Sequence, residues 1–351
     1  MSTRKALITG GAGFVGTNLT SRLVEDGYQV VVLDDLSRRG VIENLRWLRS
    51  TYGSRVRVEI GDIREPRAVR AALEGVSEIY HLAAQVAVTT SLESPVEDFS
   101  VNAEGTLRLL EEIRRLDDPP FLIFTSTNKV YGSLPELELE RRGTRWEPVD
   151  ADRRDAGLSE CWPLHFCTPY GCSKGAADQY VLDYATSFAI PSVVFRMSCI
   201  YGPHQHGTED QGWVAHFAIR ALERRPITLY GDGAQVRDIL FVDDLVEAML
   251  LARENVGRLT GTAFNMGGGP GNAVSLLEVV DFLATLGTPT EVRYAEERPG
   301  DQRYYVADTA RFEKETGWRA TTDAYDGIER LHRWLAEERT TRAERPRAVA
   351  L

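Results

Sequence analysis

Apolar and polar positions along the chain fall into two alternating rhythms. Short apolar runs stand at Lys5–Thr9, Gln29–Leu33, Val56–Ile60, Ile79–Leu82, Phe121–Thr125 and Ser192–Arg196. Longer stretches between them have helical spacing. In Phe14–Asp26 the residues Phe14, Val15, Leu19, Leu23 and Val24 share one face, and Gly27 follows where a helix commonly ends. Pro95–Leu116 and Ser173–Phe188 are two more predicted helices. Strands separated by helices predict an α/β fold, a doubly wound parallel sheet of Rossmann type with both faces covered.

The texture changes after Arg196. Gly, Pro and His cluster in Tyr201–Gly212, and short strands are predicted at Ile227–Tyr230, Asp238–Phe241 and Ala263–Met266. Ser275-Leu-Leu-Glu278 is a capping box that opens a helix to about Leu286. These residues predict a smaller lobe on the carboxyl edge of the sheet, suited to hold a substrate. Val242–Glu254 has the character of a main-domain helix. The expected division is therefore 1–196 for the main domain with 237–262 returning to it, 197–236 and 263–338 for the smaller lobe, and a loose polar tail over 339–351.

Composition narrows the function classes. The 351 residues carry 41 Lys plus Arg against 52 Asp plus Glu, a formal charge of −11. That balance argues against a nucleic-acid binder, which needs a basic face. The chain lacks a run of about 18 apolar residues, so a membrane span is not expected. Its opening MSTRKALITGGAGFVG has neither the apolar region nor the cleavage site of a secretory signal, which predicts a cytoplasmic protein. The four cysteines, Cys161, Cys167, Cys172 and Cys199, fit neither a disulfide framework nor a zinc ribbon and are expected to fill core space. Six histidines without paired spacing predict that there is no metal site.

Gly10-x-x-Gly13-x-x-Gly16 lies between a predicted strand and a predicted helix. Glycines there allow a tight turn and let a pyrophosphate approach free N–H groups at a helix N-terminus. Asp34 closes the second strand, where a carboxylate can accept hydrogen bonds from an adenosine ribose. The same carboxylate would repel a 2′-phosphate, so NAD is expected rather than NADP. Tyr170 and Lys174 stand at i and i+4, on one face of a helix. A phenol with a pKa of about 10 is a poor base. A neighbouring ammonium and a cationic nicotinamide would both favour its phenolate. Lys174 has a second task open to it, binding the nicotinamide ribose. Thr127 ends the fifth strand, and its hydroxyl could align a sugar oxygen with Tyr170.

The glycine spacing, Thr127 and the Tyr170/Lys174 pair resemble the extended short-chain dehydrogenase/reductases, in particular the NAD-dependent nucleotide-sugar epimerase/dehydratase family. The resemblance runs from Gly10 to about Trp334. Ser126-Thr-Asn-Lys-Val-Tyr-Gly132, Pro169-Tyr-Gly-Cys-Ser-Lys-Gly-Ala-Ala-Asp-Gln-Tyr180, Asp210-Gln-Gly-Trp213, Gln235-Val-Arg-Asp238 and Asp301-Gln-Arg303 are similar to the CDP-tyvelose (CDP-paratose) 2-epimerase group. It implies that Gly10, Gly13, Phe14, Val15, Gly16, Asp34, Ser37, Arg38, Asp62, Ile63, Leu82, Ala83, Ala84, Gln85, Asn102, Thr125, Tyr170 and Lys174 serve NAD. It implies that Thr127, Asn128, Lys129, Ser198, His204, Gln205, Thr208, Gln211, Arg237, Arg298 and Asp301 face a nucleotide-diphosphate sugar, with Arg237 and Arg298 on the diphosphate. Trp213 and Phe217 read as core instead. The implied reaction is epimerisation by transient oxidation to a keto-sugar. C2 of a CDP-hexose is the leading expectation and C4 of a UDP-sugar the alternative. A UDP-uronate decarboxylase stays open. A 4,6-dehydratase is disfavoured, because Asn128 and Lys129 follow Thr127 where an acid is wanted. The resemblance also implies a homodimer through a four-helix bundle of Leu92–Leu116 and Tyr170–Phe188.

Overall fold

The computed structural model describes residues 4–344. Strand and helix alternate from the start: β1 (Lys5–Thr9), α1 (Phe14–Glu25), β2 (Gln29–Asp34), α2 (Val41–Tyr52), β3 (Val56–Ile60), α3 (Pro66–Leu73) and β4 (Glu78–His81). Then come α4 (Val88–Glu93), α5 (Pro95–Phe99), α6 (Gly105–Ile113) and β5 (Phe121–Thr127). A hairpin, β6 (Leu139–Arg142) and β7 (Arg145–Pro148), and a short helix α7 (Ala151–Ala156) precede α8 (Thr168–Ser187) and β8 (Ser192–Met197). The remainder is β9 (Cys199–Tyr201), α9 (Trp213–Leu222), β10 (Ile227–Tyr230), β11 (Val236–Phe241), α10 (Val242–Glu254), α11 (Val256–Leu259), β12 (Thr262–Met266), β13 (Ala273–Ser275), α12 (Leu276–Thr285), β14 (Val292–Ala295), β15 (Tyr304–Tyr305), α13 (Ala310–Thr316) and α14 (Ala324–Glu344).

Seven parallel strands form the main sheet in the order β12-β8-β5-β4-β1-β2-β3. Its two faces are both dry. Leu7, Val31, Ile79, Leu122 and Val194 pack into one layer, and Ala6, Ile8, Val30, Val32, Ile123 and Val193 into the other. Burial on both sides explains why the strands read as continuous apolar runs. The strand order reverses between β1 and β4. The crevice beyond their carboxyl ends is where such sheets bind ligands.

Several boundaries differ from the sequence expectation. The predicted 95–116 helix is interrupted by a π-helical segment over Ser100–Glu104. β12 is the edge strand of the main sheet, not the start of the smaller lobe, because it pairs along β8 from Thr262↔Val193 to Met266↔Met197. β11, expected to return to the main domain, instead lies in a small sheet with β9, β13 and β15. The β6–β7 hairpin joins that lobe: Trp146 N donates to Ala234 O and Arg145 pairs with Glu278. Helix α14 runs on to Glu344, so 339–344 is helical, not loose; the rest of the predicted tail lies outside the described residues. Three cysteines are not core filler: Cys161 and Cys172 are exposed and Cys167 is partly so, whereas the partly buried Cys199 packs against the core. The Ser275–Glu278 capping box forms as expected.

Candidate active site

The turn after β1 sets the floor of a cavity of about 910 Å³. Gly10 has φ +66°, and a Cβ there would come within 2.8 Å of Ala83 N. A Cβ on Gly16 would come within 2.6 Å of Gly11 Cα. Only glycine lets the turn close against the loop after β4. Phe14 and Val15 then open α1 and line the crevice, which puts a helix N-terminus at its wall.

Asp34, at the end of β2, is buried. One carboxylate oxygen accepts from Ala12 N (3.0 Å) and the other from Leu36 N (2.9 Å). Burial raises its pKa against those two bonds. Each oxygen keeps acceptor capacity toward the cavity it lines. Asp62 is held below the usual carboxylate range by Arg64, which binds it through Nε at 2.9 Å. Ser37, Arg38, Ile63, Leu82, Ala83, Ala84, Gln85 and Thr125 complete this end of the wall. Asn102 is not part of it. Its side chain accepts from Gln85 N (2.9 Å) and donates to Gln85 O (3.0 Å), so it braces the wall from behind. The glycine cradle, the buried acceptor at Asp34 and the Ser126 hydroxyl, which lines the cavity without a partner, all fit a dinucleotide.

Tyr170 and Lys174 sit on the first turns of α8, both buried and both lining the cavity. Burial pushes the Tyr170 phenol up to about 12; the Thr127 hydroxyl and Arg38 lower it and Asp98 raises it. Lys174 donates to Thr125 O (2.6 Å) and lies 4.2 Å above the Phe124 ring. Burial brings its pKa down to about 7, with Asp178 and Asp98 opposing. Arg38 is a positive group that favours the Tyr170 phenolate, while the Lys174 side chain donates to the main chain at Thr125. Below Lys174, the His81 ring contacts Thr9 Oγ1 (2.7 Å) and Thr106 Oγ1 (3.0 Å). Burial holds it neutral, with a pKa of about 3.

The far end of the cavity belongs to the smaller lobe. Thr127, Asn128, Lys129, Ser198, Gln205, Gln211, Arg237, Arg298 and Asp301 all line it, as expected. Arg237 is already engaged. It donates to Asp301 (2.7 Å) and to Gln302 O (2.5 Å). Lys129 donates to Gly300 O (3.1 Å). Burial works against the Asp301 carboxylate, yet Arg237 and Lys129 hold its pKa below the usual range. The Arg298 guanidinium lies 3.7 Å from the centre of the Tyr230 ring.

Two expected substrate residues are not at the cavity. The His204 ring lies tilted against Trp47 (4.3 Å between centres) and Trp334 (5.1 Å), where burial lowers its pKa to about 4. Thr208 is turned into a backbone bridge with Gln211. Phe217 is core, as expected, though it also touches the cavity. Trp213 is only half-buried on the wall and donates to Cys199 Sγ (3.3 Å). Sequence reasoning passed over Tyr230 and Gln235. Both line the same wall, and Gln235 could have been flagged by its place beside Arg237.

The comparisons agree with this geometry. Residues 6–267 match the model of the NAD dependent epimerase/dehydratase family. The chain belongs to that family. It is an NAD-dependent enzyme of the nucleotide-sugar epimerase type. It is 41% identical to a CDP-paratose 2-epimerase of Salmonella typhi, over 95% of this chain and 99% of the relative. The UDP-glucose 4-epimerase of Thermus thermophilus, in complex with NAD, aligns with a TM-score of 0.78 at 32% identity, covering 95% of this chain and 99% of that one. The Bacillus cereus UDP-glucuronic acid 4-epimerase, in complex with UDP-glucuronic acid and NAD, aligns at 0.81 and 26%, with coverage of 95% and 99%.

Proposed function

We propose that this enzyme inverts C2 of a CDP-hexose. The 41% identity over nearly the whole chain to a CDP-paratose 2-epimerase carries the reading. The residues flanking Tyr170, Lys174, Arg237 and Asp301 support it, being the segments in which the sequence resembles that group. When bound, NAD supplies a reversible store for two electrons and a positive charge. The cradle at Gly10–Gly16, with Asp34, would hold it.

The chain's own residues handle the proton and the orientation. Tyr170, as phenolate, takes the proton from the sugar hydroxyl and later returns it to the same oxygen. Thr127, whose hydroxyl favours the Tyr170 phenolate, keeps that oxygen aligned with the phenol. Lys174, fixed by Thr125 O, is placed to bind ribose hydroxyls. Arg237 and Arg298 hold the diphosphate, which leaves the sugar free to turn and present its other face. Asn128 and Lys129 stand where a dehydratase would need an acid, so the keto-sugar is reduced back and not dehydrated.

The second reading is inversion at C4 of a UDP-sugar, favoured by the fit to the Thermus UDP-glucose 4-epimerase. Proton NMR on CDP-, UDP- and GDP-hexoses incubated with the protein and no added reductant separates the two. Inversion at C2 of a CDP-sugar is expected; inversion at C4 as the sole activity overturns the proposal.

We propose further that two copies associate through α4, α5 and α8 in a cytoplasmic homodimer. Val96 (82% exposed) and Phe99 (58%), with Leu92, Tyr180 and Phe188, leave an apolar face uncovered there.

A further inference from the structure

Asp98 is a carboxylate with no exposed surface, and the reaction as derived does not use it. It sits on α5, immediately before the π-helical segment Ser100–Glu104. Single π turns inside helices occur often at functional sites. Each of its oxygens has a donor: Ser173 Oγ at 2.5 Å on one and Asn102 Nδ2 at 3.2 Å on the other. Ser173 lies on α8 between Tyr170 and Lys174. Asn102 is the residue that grips both backbone groups of Gln85 on the cofactor wall. One buried anion therefore joins three parts of the site: the helix that carries the working pair, the π turn and the cofactor wall. Burying a carboxylate at such a position is costly, and a neutral residue could hold Ser173 equally well. The retained charge calls for a use.

We infer that Asp98 is a positioning residue for the Tyr170–Lys174 pair, fixing the turn of α8 that bears them and setting the electrostatic field in which they exchange protons. This rests on the catalytic reading of that pair. A negative charge favours the protonated form of both partners, the neutral phenol and the ammonium. Asp98 acts in that direction on each of them. The other charges around the pair are Arg38, which faces Tyr170, and Asp178, which faces Lys174. His81 lies beneath Lys174 but is neutral, and the Cys172 thiol stands beside Asp98 with its pKa raised, chiefly by burial. Asp178 continues to favour the Lys174 ammonium if the Asp98 charge is removed, whereas Asp98 is the one carboxylate among these groups that acts on Tyr170.

The test is the pH dependence of kcat for Asp98→Asn, measured beside the parent and Tyr170→Phe. Activity requires Tyr170 deprotonated. Neutralising Asp98 removes a charge that favours the neutral phenol, so the acid limb of the profile moves to lower pH by about one unit, the low end of what one close charge achieves. Retained NAD and an unchanged melting temperature show that the variant is folded. If Asp98→Asn does not fold, Asp98→Ser removes the same charge with a smaller side chain and is read in the same way. A folded neutral variant whose profile superposes on the parent's, or whose kcat falls by one factor at every pH, overturns the inference alone, provided Tyr170→Phe is inactive. Turnover by Tyr170→Phe overturns the catalytic pair and this inference with it.

Discussion

On the proposed reading Tyr170 carries the chemistry: it lines the cavity that also holds the glycine cradle, and the Thr127 hydroxyl favours its phenolate. Its Phe variant keeps the ring and loses the proton carrier. We expect kcat to fall by about 10²–10⁴ while copurified NAD, read by absorbance after denaturation, stays near the parent level. Loss of NAD together with activity would give Tyr170 a binding role instead. At this scale the sequence was legible wherever spacing encodes geometry. Glycines three apart after a strand, and Tyr and Lys four apart on a helix, each have few structural meanings. It was illegible for His204, whose ring neighbours Trp47 and Trp334 come from α2 and α14. Nothing local to His204 shows that two distant indoles will cover it. The same holds for Lys174: a spacing of four puts it beside Tyr170, but only the fold reveals that Thr125 O claims its ammonium.

Helix α8 is held to the sheet by a buried ion pair as well as by apolar packing. Asp178 accepts from Arg196 Nε (2.9 Å) and Nη2 (3.0 Å), and Arg196 also donates to Tyr131 (3.2 Å). The side chains of Arg196 and Asp178 are 6% and 1% exposed. Removing one partner strands a buried charge. Asp178→Ala is expected to cost about 3–5 kcal/mol of stability, measured by chemical denaturation. A loss below about 1 kcal/mol, the scale of a surface pair, would show that water reaches the site. Strands and most helices of the main sheet were readable from apolar runs and caps. The π turn at Ser100–Glu104 was not, because one inserted residue leaves the apolar periodicity of a 22-residue stretch nearly intact. The placement of β12 was not readable either. Its register with β8 is set across some 60 intervening residues, and a short apolar strand fits a main sheet or a small one equally well.

For the molecule as a whole, the division of labour follows the sheet's carboxyl edge. On the proposed reading the main domain supplies the cradle and the proton carrier, and the smaller lobe supplies the arginines. The lobe is assembled from separated stretches, the β6–β7 hairpin among them, and this is why a linear division of the sequence could not describe it. The exposed face of α4, α5 and α8 lies directly outside the helices that position Tyr170. Replacing Val96 and Phe99 with glutamate should convert a dimer to a monomer, read by light scattering as a halved mass. A parent protein that is already monomeric at working concentration would refute the proposed interface.

The account turns on a hydride that leaves one sugar carbon and comes back to it. The most direct measurement uses a CDP-hexose deuterated at C2, incubated with the enzyme in ordinary water and followed by NMR and mass spectrometry. The product should be inverted at C2 and should keep its deuterium there. Deuterium lost to solvent, or inversion at C4 with C2 untouched, would contradict it.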